Sequence, residues 1–299
     1  MCVSSDFCES NLQLLFTILE KSTDATIRSN IVIALGDMAV CFTTLIDENI
    51  AYLYNRLSDP DPLVKKNTLM VLTHLVLNGM IKVKGQIGEM AKCLEDEERR
   101  ISDLAKLFFT ELASKDNAIY NNLPDIISNL SGSESKVDEE TFKKIMKFLF
   151  EFIDKDKQAE NVVEKLCQRF RNAEGERAWR DISLCLSLLP YKSEKSFKKL
   201  LEGMRDYQDK LHEETVYKYF TEIVNKGRGQ KLQKPEMKAA IDEFEGQLEK
   251  LRVRGTESQE VEQKAVIATK KVASKRGRLL NHYEVLSKIK RASVPTQDN

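Results

Sequence analysis

The sequence predicts an all-α protein built as a stack of antiparallel helix pairs, and three observations carry that prediction. Apolar residues recur at the offsets i, i+3, i+4 and i+7 almost throughout, and strand-like alternation is absent over any useful length. Only 12 Gly and 6 Pro interrupt the 299 residues, which favours long helices over many-turned β structure. Hydrophobic residues make up 41% and charged residues 31%, so a continuous core can form while every helix keeps a wet face. One compact core of this length would be large, whereas a stack of pairs is ordinary.

About six helix pairs are expected between Asn11 and Lys226, in a solenoid over residues 1–226. The first, near Leu12 to Leu19, is expected to present a sticky face. Ile31, Leu35, Met38, Ala39 and Phe42 mark the next stripe. Asp59-Pro60-Asp61-Pro62 separates two helices and starts the second, which Asn78-Gly79 ends with Gly in a left-handed cap. Ile101, Leu104, Ala105, Phe108 and Leu112 form a further stripe, closed by a break at Asp116-Asn117. After Ser131-Gly132-Ser133, Asp138 is expected to cap a helix carrying Phe142, Ile145, Met146, Leu149 and Ile153. Trp179, Ile182, Leu186 and Leu189 follow, with Trp179 expected as a core anchor, and Ser193 as a further N-cap.

An internal repeat supports stacking. Sliding residues 24–39 by 37 positions sets Asp24 on Asp61, Ile27 on Val64, Arg28 on Lys65, Asn30 on Asn67, and Leu35 on Leu72. A weaker echo follows at Asp96, Arg99, Arg100 and Ile101. Asp-x-x-(Ile/Val)-(Arg/Lys) opening the second helix of a pair is the HEAT-repeat pattern. The Asp is expected to cap its helix and to ladder to a basic residue of a neighbouring repeat. One such pair cannot bury its own apolar face, so pairs must stack.

After Lys226 the texture changes. A basic loop is expected over 227–234, then a helix over 235–255 with Pro235 in its first turn and a narrow stripe of Met237, Ile241, Phe244, Leu248 and Leu251. Residues 256–299 form a basic tail, expected to be weakly helical to disordered. From Lys264 to Arg291 nine Lys or Arg accompany one acid, Glu284, although the whole chain has a net charge of +0. A basic tail on an acidic body suggests two kinds of partner.

The search for chemistry excludes most enzyme classes. His74, His212 and His282 lie in different elements, and His74 reads as a partly buried repeat residue. No Cys/His spacing resembles a zinc site, and no Gly-rich phosphate loop or nucleophile elbow occurs. Neither a cofactor nor a small-molecule substrate is expected. Carboxylate clusters, Glu95 to Glu98 and Asp138 to Glu140, fall where helices begin, as the helix dipole favours. The six cysteines form no C-x-x-C pair, and reduced, mostly buried thiols fit cytosol or nucleus. No apolar run approaches the ~20 residues of a membrane helix, and no secretory signal is read at the N-terminus. One loop stands out. Asn78 to Gly88 mixes basic Lys82 and Lys84 with apolar Met80, Ile81 and Val83. It reads either as a contact loop or as a loop tucking its apolar residues under the solenoid.

These residues carry a resemblance. Arg28-Ser-Asn-Ile-Val-Ile-Ala-Leu-Gly-Asp37, Asp61-Pro-Leu-Val-Lys-Lys-Asn67, Lys82-Val-Lys-Gly-Gln-Ile87, Glu89-Met-Ala-Lys-Cys-Leu-Glu-Asp96, Leu104-Ala-Lys-Leu-Phe-Phe109 and Leu123-Pro-Asp-Ile-Ile127 resemble the condensin subunit 1 family, the CAP-D type HEAT subunits, and most of all its condensin I members. The similarity covers roughly 7–251. Family members are longer and the similar stretch lies near their C-terminus, so a fragment or short isoform is expected. The resemblance implies a regulatory, non-enzymatic scaffold in mitotic chromosome condensation, partnered by SMC ATPases, a kleisin, DNA and histones. It implies the nucleus and mitotic chromosomes, with a cytoplasmic pool. It also implies a Lys-Gly loop meeting an SMC head, here Lys84-Gly85 together with Lys82. DNA or chromatin contact is expected at Lys226, Arg228, Lys231 and Lys234, and in the tail at Lys270, Lys271, Lys275, Arg276 and Arg278. The tail also reads as a nuclear import signal. The alternative is another HEAT-type interaction scaffold, a transport or cytoskeletal adaptor.

Overall fold

The computed structural model describes residues 2–82, 85–115, 117–131, 137–230 and 234–253. Among them there is no strand. The helices are α1 (Ser5–Lys21), α2 (Ala25–Cys41), α3 (Thr43–Asp47), α4 (Ala51–Asn55), α5 (Pro62–Leu77), α6 (Ile87–Lys92), α7 (Arg99–Ala113), α8 (Ala118–Leu130), α9 (Glu139–Phe150), α10 (Asp156–Phe170), α11 (Glu176–Leu188), α12 (Glu194–Gly203) and α13 (Glu214–Arg228). A last helix, α14, spans 235–253. The tail expectations lie outside the described residues.

The second helices of successive pairs, α2, α5, α7, α9, α11 and α13, begin at residues 25, 62, 99, 139, 176 and 214. The steps are 37, 37, 40, 37 and 38 residues, so the repeat seen in the first third persists to the end. These helices form one layer, in which α5 packs between α2 and α7, and α11 between α9 and α13. The first helices form the other layer, with α6 against α8 and α10 against α12. The longer step carries the break between α7 and α9, where α9 meets the short turn before α7 and Lys144 reaches Glu95 at 3.7 Å.

Local chemistry sets the starts. Asp24 accepts the Thr26 N–H at 2.7 Å, Asp61 accepts those of Leu63 and Val64, and Asp138 those of Glu140 and Thr141. Pro62 occupies the first turn of α5, where its missing N–H costs nothing. Gly79 takes φ +68° beyond Asn78, and the Met80 N–H returns to the Leu75 carbonyl, the left-handed helix ending the sequence predicts. Ser193 precedes α12 but does not cap it with its side chain; its hydroxyl donates to Glu160 at 2.7 Å instead.

The stripes are buried against both neighbours: Leu35, Leu72, Ala105, Phe108, Phe142, Leu149, Ile182 and Leu186 are at most 1% exposed. Each large one contributes about 1.5–3 kcal/mol by leaving water. An aromatic column secures the C-terminal end. Phe220 of α13 stacks on Tyr207 with centroids 4.5 Å apart, and Phe244 of α14 lies 5.9 Å from Phe197 and 6.3 Å from Phe220. Burial of Phe244, together with Met237, Ile241 and Leu248, holds α14 on the stack.

Several expectations are corrected. The capping Asp24 and Asp61 are not the ladder acids; each caps its own helix through one oxygen. The ladder uses the acid two residues before Asp61: Asp59 accepts two hydrogen bonds from Arg28, at 2.8 and 2.9 Å. In the next pair Asp96 binds Lys65 at 2.5 Å. Asp59 and Asp96 each also accept an N–H two residues on. Trp179 is half-buried rather than a core anchor, because its indole N–H must reach the Ala173 carbonyl at the edge, 3.0 Å away. His74 is exposed rather than partly buried. Among the thiols Cys8, Cys93, Cys167 and Cys185 are buried, but Cys2 and Cys41 are exposed. In the first helix Leu12, Phe16 and Leu19 are buried, and Phe7 and Leu14 carry its exposed apolar face.

Candidate functional site

The loop after α5 is the feature that composition leaves open between contact and connection. The structure divides it. Ile81 is buried and Met80 packs against the core, so these two apolar residues turn inward. Lys82 and Gly85 are exposed, while Val83 and Lys84 lie outside the described residues. Gly85 has open space where a side chain would stand. Its carbonyl accepts a hydrogen bond from the Asn129 side chain of α8, and the Lys115 ammonium binds the Leu77 carbonyl. The loop is thus tied at one end to the end of α7 and at the other to α8 of the pair after it.

The basic residues assigned to DNA or chromatin are not gathered into one patch within the described residues. The Lys226 ammonium binds the Ser187 carbonyl, and burial lowers its proton affinity. Helix α13 continues through Gly227 and Arg228, so the loop begins later than the sequence suggests. Arg228 reaches Asp242 at 3.2 Å and also Glu245, tying α13 to α14, and the hydrogen bond to Asp242 raises its proton affinity. Lys234 is exposed. Lys231, Lys270, Lys271, Lys275, Arg276 and Arg278 lie outside the described residues.

Two charged junctions escape sequence reasoning, one at the surface around Arg180 and one buried at Arg28 and Asp59. Arg180 reaches Glu139 at 2.5 Å, Glu176 at 3.5 Å and Glu213 at 3.7 Å, so one guanidinium joins the starts of α9, α11 and α13. Its hydrogen bond holds the Glu139 carboxyl below the usual range. At Asp59 burial pushes the carboxyl up, but the hydrogen bonds from Arg28 and the Asp61 N–H outweigh it and hold it low. The signal for the Arg28–Asp59 junction was present, since Arg28/Lys65 and Asp59/Asp96 share one 37-residue shift. Nothing in the sequence singles out Asn129. Among the described residues no cluster of His, Cys, Asp or Glu could hold a metal ion, and no helix is long and apolar enough to cross a membrane.

Comparison with known proteins agrees with this geometry. Residues 26–187 match the family model described as non-SMC mitotic condensation complex subunit 1. The chain is 51% identical over 261 residues to condensin complex subunit 1 of Xenopus laevis, covering 87% of this chain and 19% of that protein. It is 44% identical over 299 residues to the condensin-1 complex subunit CAP-D2 of Arabidopsis thaliana, covering 100% and 20%. The chain therefore spans about a fifth of the length of these relatives. Among solved structures, the C-terminal fragment of the Chaetomium thermophilum cohesin loader SCC2 is similar over 73% of this chain and 17% of that one, at 14% identity and a TM-score of 0.45. With 37-residue helix pairs stacked through Arg28–Asp59 and Lys65–Asp96, and with a family model matched from α2 to α11, the chain belongs to the condensin complex subunit 1 family.

Proposed function

We propose that this chain is a non-enzymatic, regulatory scaffold segment of condensin, acting in mitotic chromosome condensation in the nucleus and on mitotic chromosomes, with a cytoplasmic pool. Its partners are the SMC ATPases, the kleisin, DNA and histones. Lys82, Lys84 and Gly85 contact an SMC ATPase head. The observation that carries this reading is the division of the loop: apolar Met80 and Ile81 anchor it, Asn129 holds Gly85, and Lys82 is left pointing to solvent. A loop pinned at its base loses little entropy when it binds. The chromatin contact falls to Lys234 and to the basic residues outside the described ones, because Lys226 and Arg228 already hold partners within the fold. Such phosphate contacts are non-specific and weaken steeply with salt.

The test is a pull-down of the chain with SMC ATPase heads, comparing wild type with Lys82→Glu/Lys84→Glu. Loss of binding in the variant, with its helical circular dichroism unchanged, is the expected result. Equal binding by both removes the loop from the interface. Binding by neither refutes the head contact for this segment.

A further inference from the structure

The internal repeat places one large apolar residue of each of the first three pairs in water. Ile33 of α2, Met70 of α5 and Leu107 of α7 stand 37 residues apart, at equivalent positions of three helices packed side by side, and are 43%, 51% and 56% exposed. Ile33 and Met70 line one cleft between α2 and α5. In α9, α11 and α13 no large apolar residue is comparably exposed, so the stripe is confined to the first three pairs. Four residues after each position stand Asp37, His74 and Glu111, all exposed, which gives this flank two carboxylates; four residues before stand Ser29, Lys66 and Asp103.

We propose that residues 272–286 of the same chain cover this stripe. That segment lies outside the described residues, and its spacing along the sequence is what matches. Packed helices stand about 8–10 Å apart, so the three positions span about 20 Å. Val272, Leu279 and Leu286 recur every seventh residue. In a helical register seven residues rise about 10.5 Å, which sets one apolar side chain over each position. Lys275, Arg276 and Arg278 lie between Val272 and Leu279, and with Val272 over Leu107 they complement Glu111. The reach is sufficient. The described fold stops at residue 253 beside α13, three layer positions from α7, or about 30 Å. Residues 254–271 span up to about 60 Å at about 3.3 Å each. Docking would draw on the segment that holds Lys275, Arg276 and Arg278, so stripe and phosphate compete for it.

Hydroxyl-radical footprinting of the full chain tests this, with Met70 as reporter and the buried Met204 as internal reference. In Leu279→Asp/Leu286→Asp, oxidation of Met70 is expected to rise about threefold or more over wild type, since oxidation follows exposure. A synthetic peptide of residues 268–291 added to the variant is expected to restore protection. Equal Met70 oxidation in both chains overturns the proposal. So does wild-type protection that disappears on tenfold dilution, which would assign the cover to a second copy. The substitutions fall outside the described core, and unchanged Met204 oxidation verifies that the fold is intact.

Discussion

Replacing Asp59 by Asn removes the charge that the Arg28 guanidinium is buried against. Arg28 is 7% exposed and Asp59 is 4% exposed, and two hydrogen bonds of 2.8 and 2.9 Å join them. Removing one partner of a buried pair costs about 3–5 kcal/mol, because the other charge is left desolvated. Asn keeps an oxygen for the Asp61 N–H, so the lower end, about 3 kcal/mol, is expected. In a stack where each pair touches only its neighbours, the loss falls between the first and second pairs. Native-state hydrogen exchange reads this directly. Amides of α2 are expected to exchange about two orders of magnitude faster, while those of α13 hold their rate. An increase below about tenfold in α2, or an equal change in both helices, would refute the reasoning. The double substitution Arg28→Met/Asp59→Leu should recover only part of the loss: it leaves no desolvated Arg28 charge, but Arg56 and the Asp61 N–H lose their acceptor.

Further outcomes follow from the same geometry. Asp59 and Glu139 are held below their unfolded values of about 3.9 and 4.3. Their contribution is complete above those values and lost as pH falls through the native ones; melting scans should fall steeply below about pH 4, and less so in Asp59→Asn/Glu139→Gln. In Gly227→Ala the new methyl would stand 2.6 Å from Cζ of the fully buried Phe197 and 3.0 Å from Ile241. Overpacking of about 1–3 kcal/mol is expected there, read as faster exchange of α14 with α2 unchanged. The pair of Lys65 and Asp96 is wetter, with side chains 20% and 12% exposed, so Asp96→Asn should cost clearly less than Asp59→Asn in urea titrations. Maleimide should label Cys2 and Cys41 in the native state and reach Cys93, Cys167 and Cys185 only on unfolding, since burial pushes those three thiols up.

The sequence by itself determined the helices, the pairing and the repeat. Those depend on local matters: the spacing of Ile101, Ala105, Phe108 and Leu112, the cap at Asp138, the Gly79 turn, and the 37-residue shift that sets Arg28 on Lys65. The tertiary structure decided everything that depends on which repeat faces which. It assigned the ladder to Asp59 and Asp96 rather than to the caps, because it is the turn before each second helix that faces Arg28 and Lys65 of the preceding pair. It turned Met80 and Ile81 inward and tied Gly85 to Asn129, 44 residues away, a contact no local pattern encodes. It gave Lys226 and Arg228 partners inside the fold, which composition counts as free charge. It also left Ile33, Met70 and Leu107 in water. Helical periodicity marks a residue as apolar, but only the stacking of neighbouring pairs decides whether anything covers it.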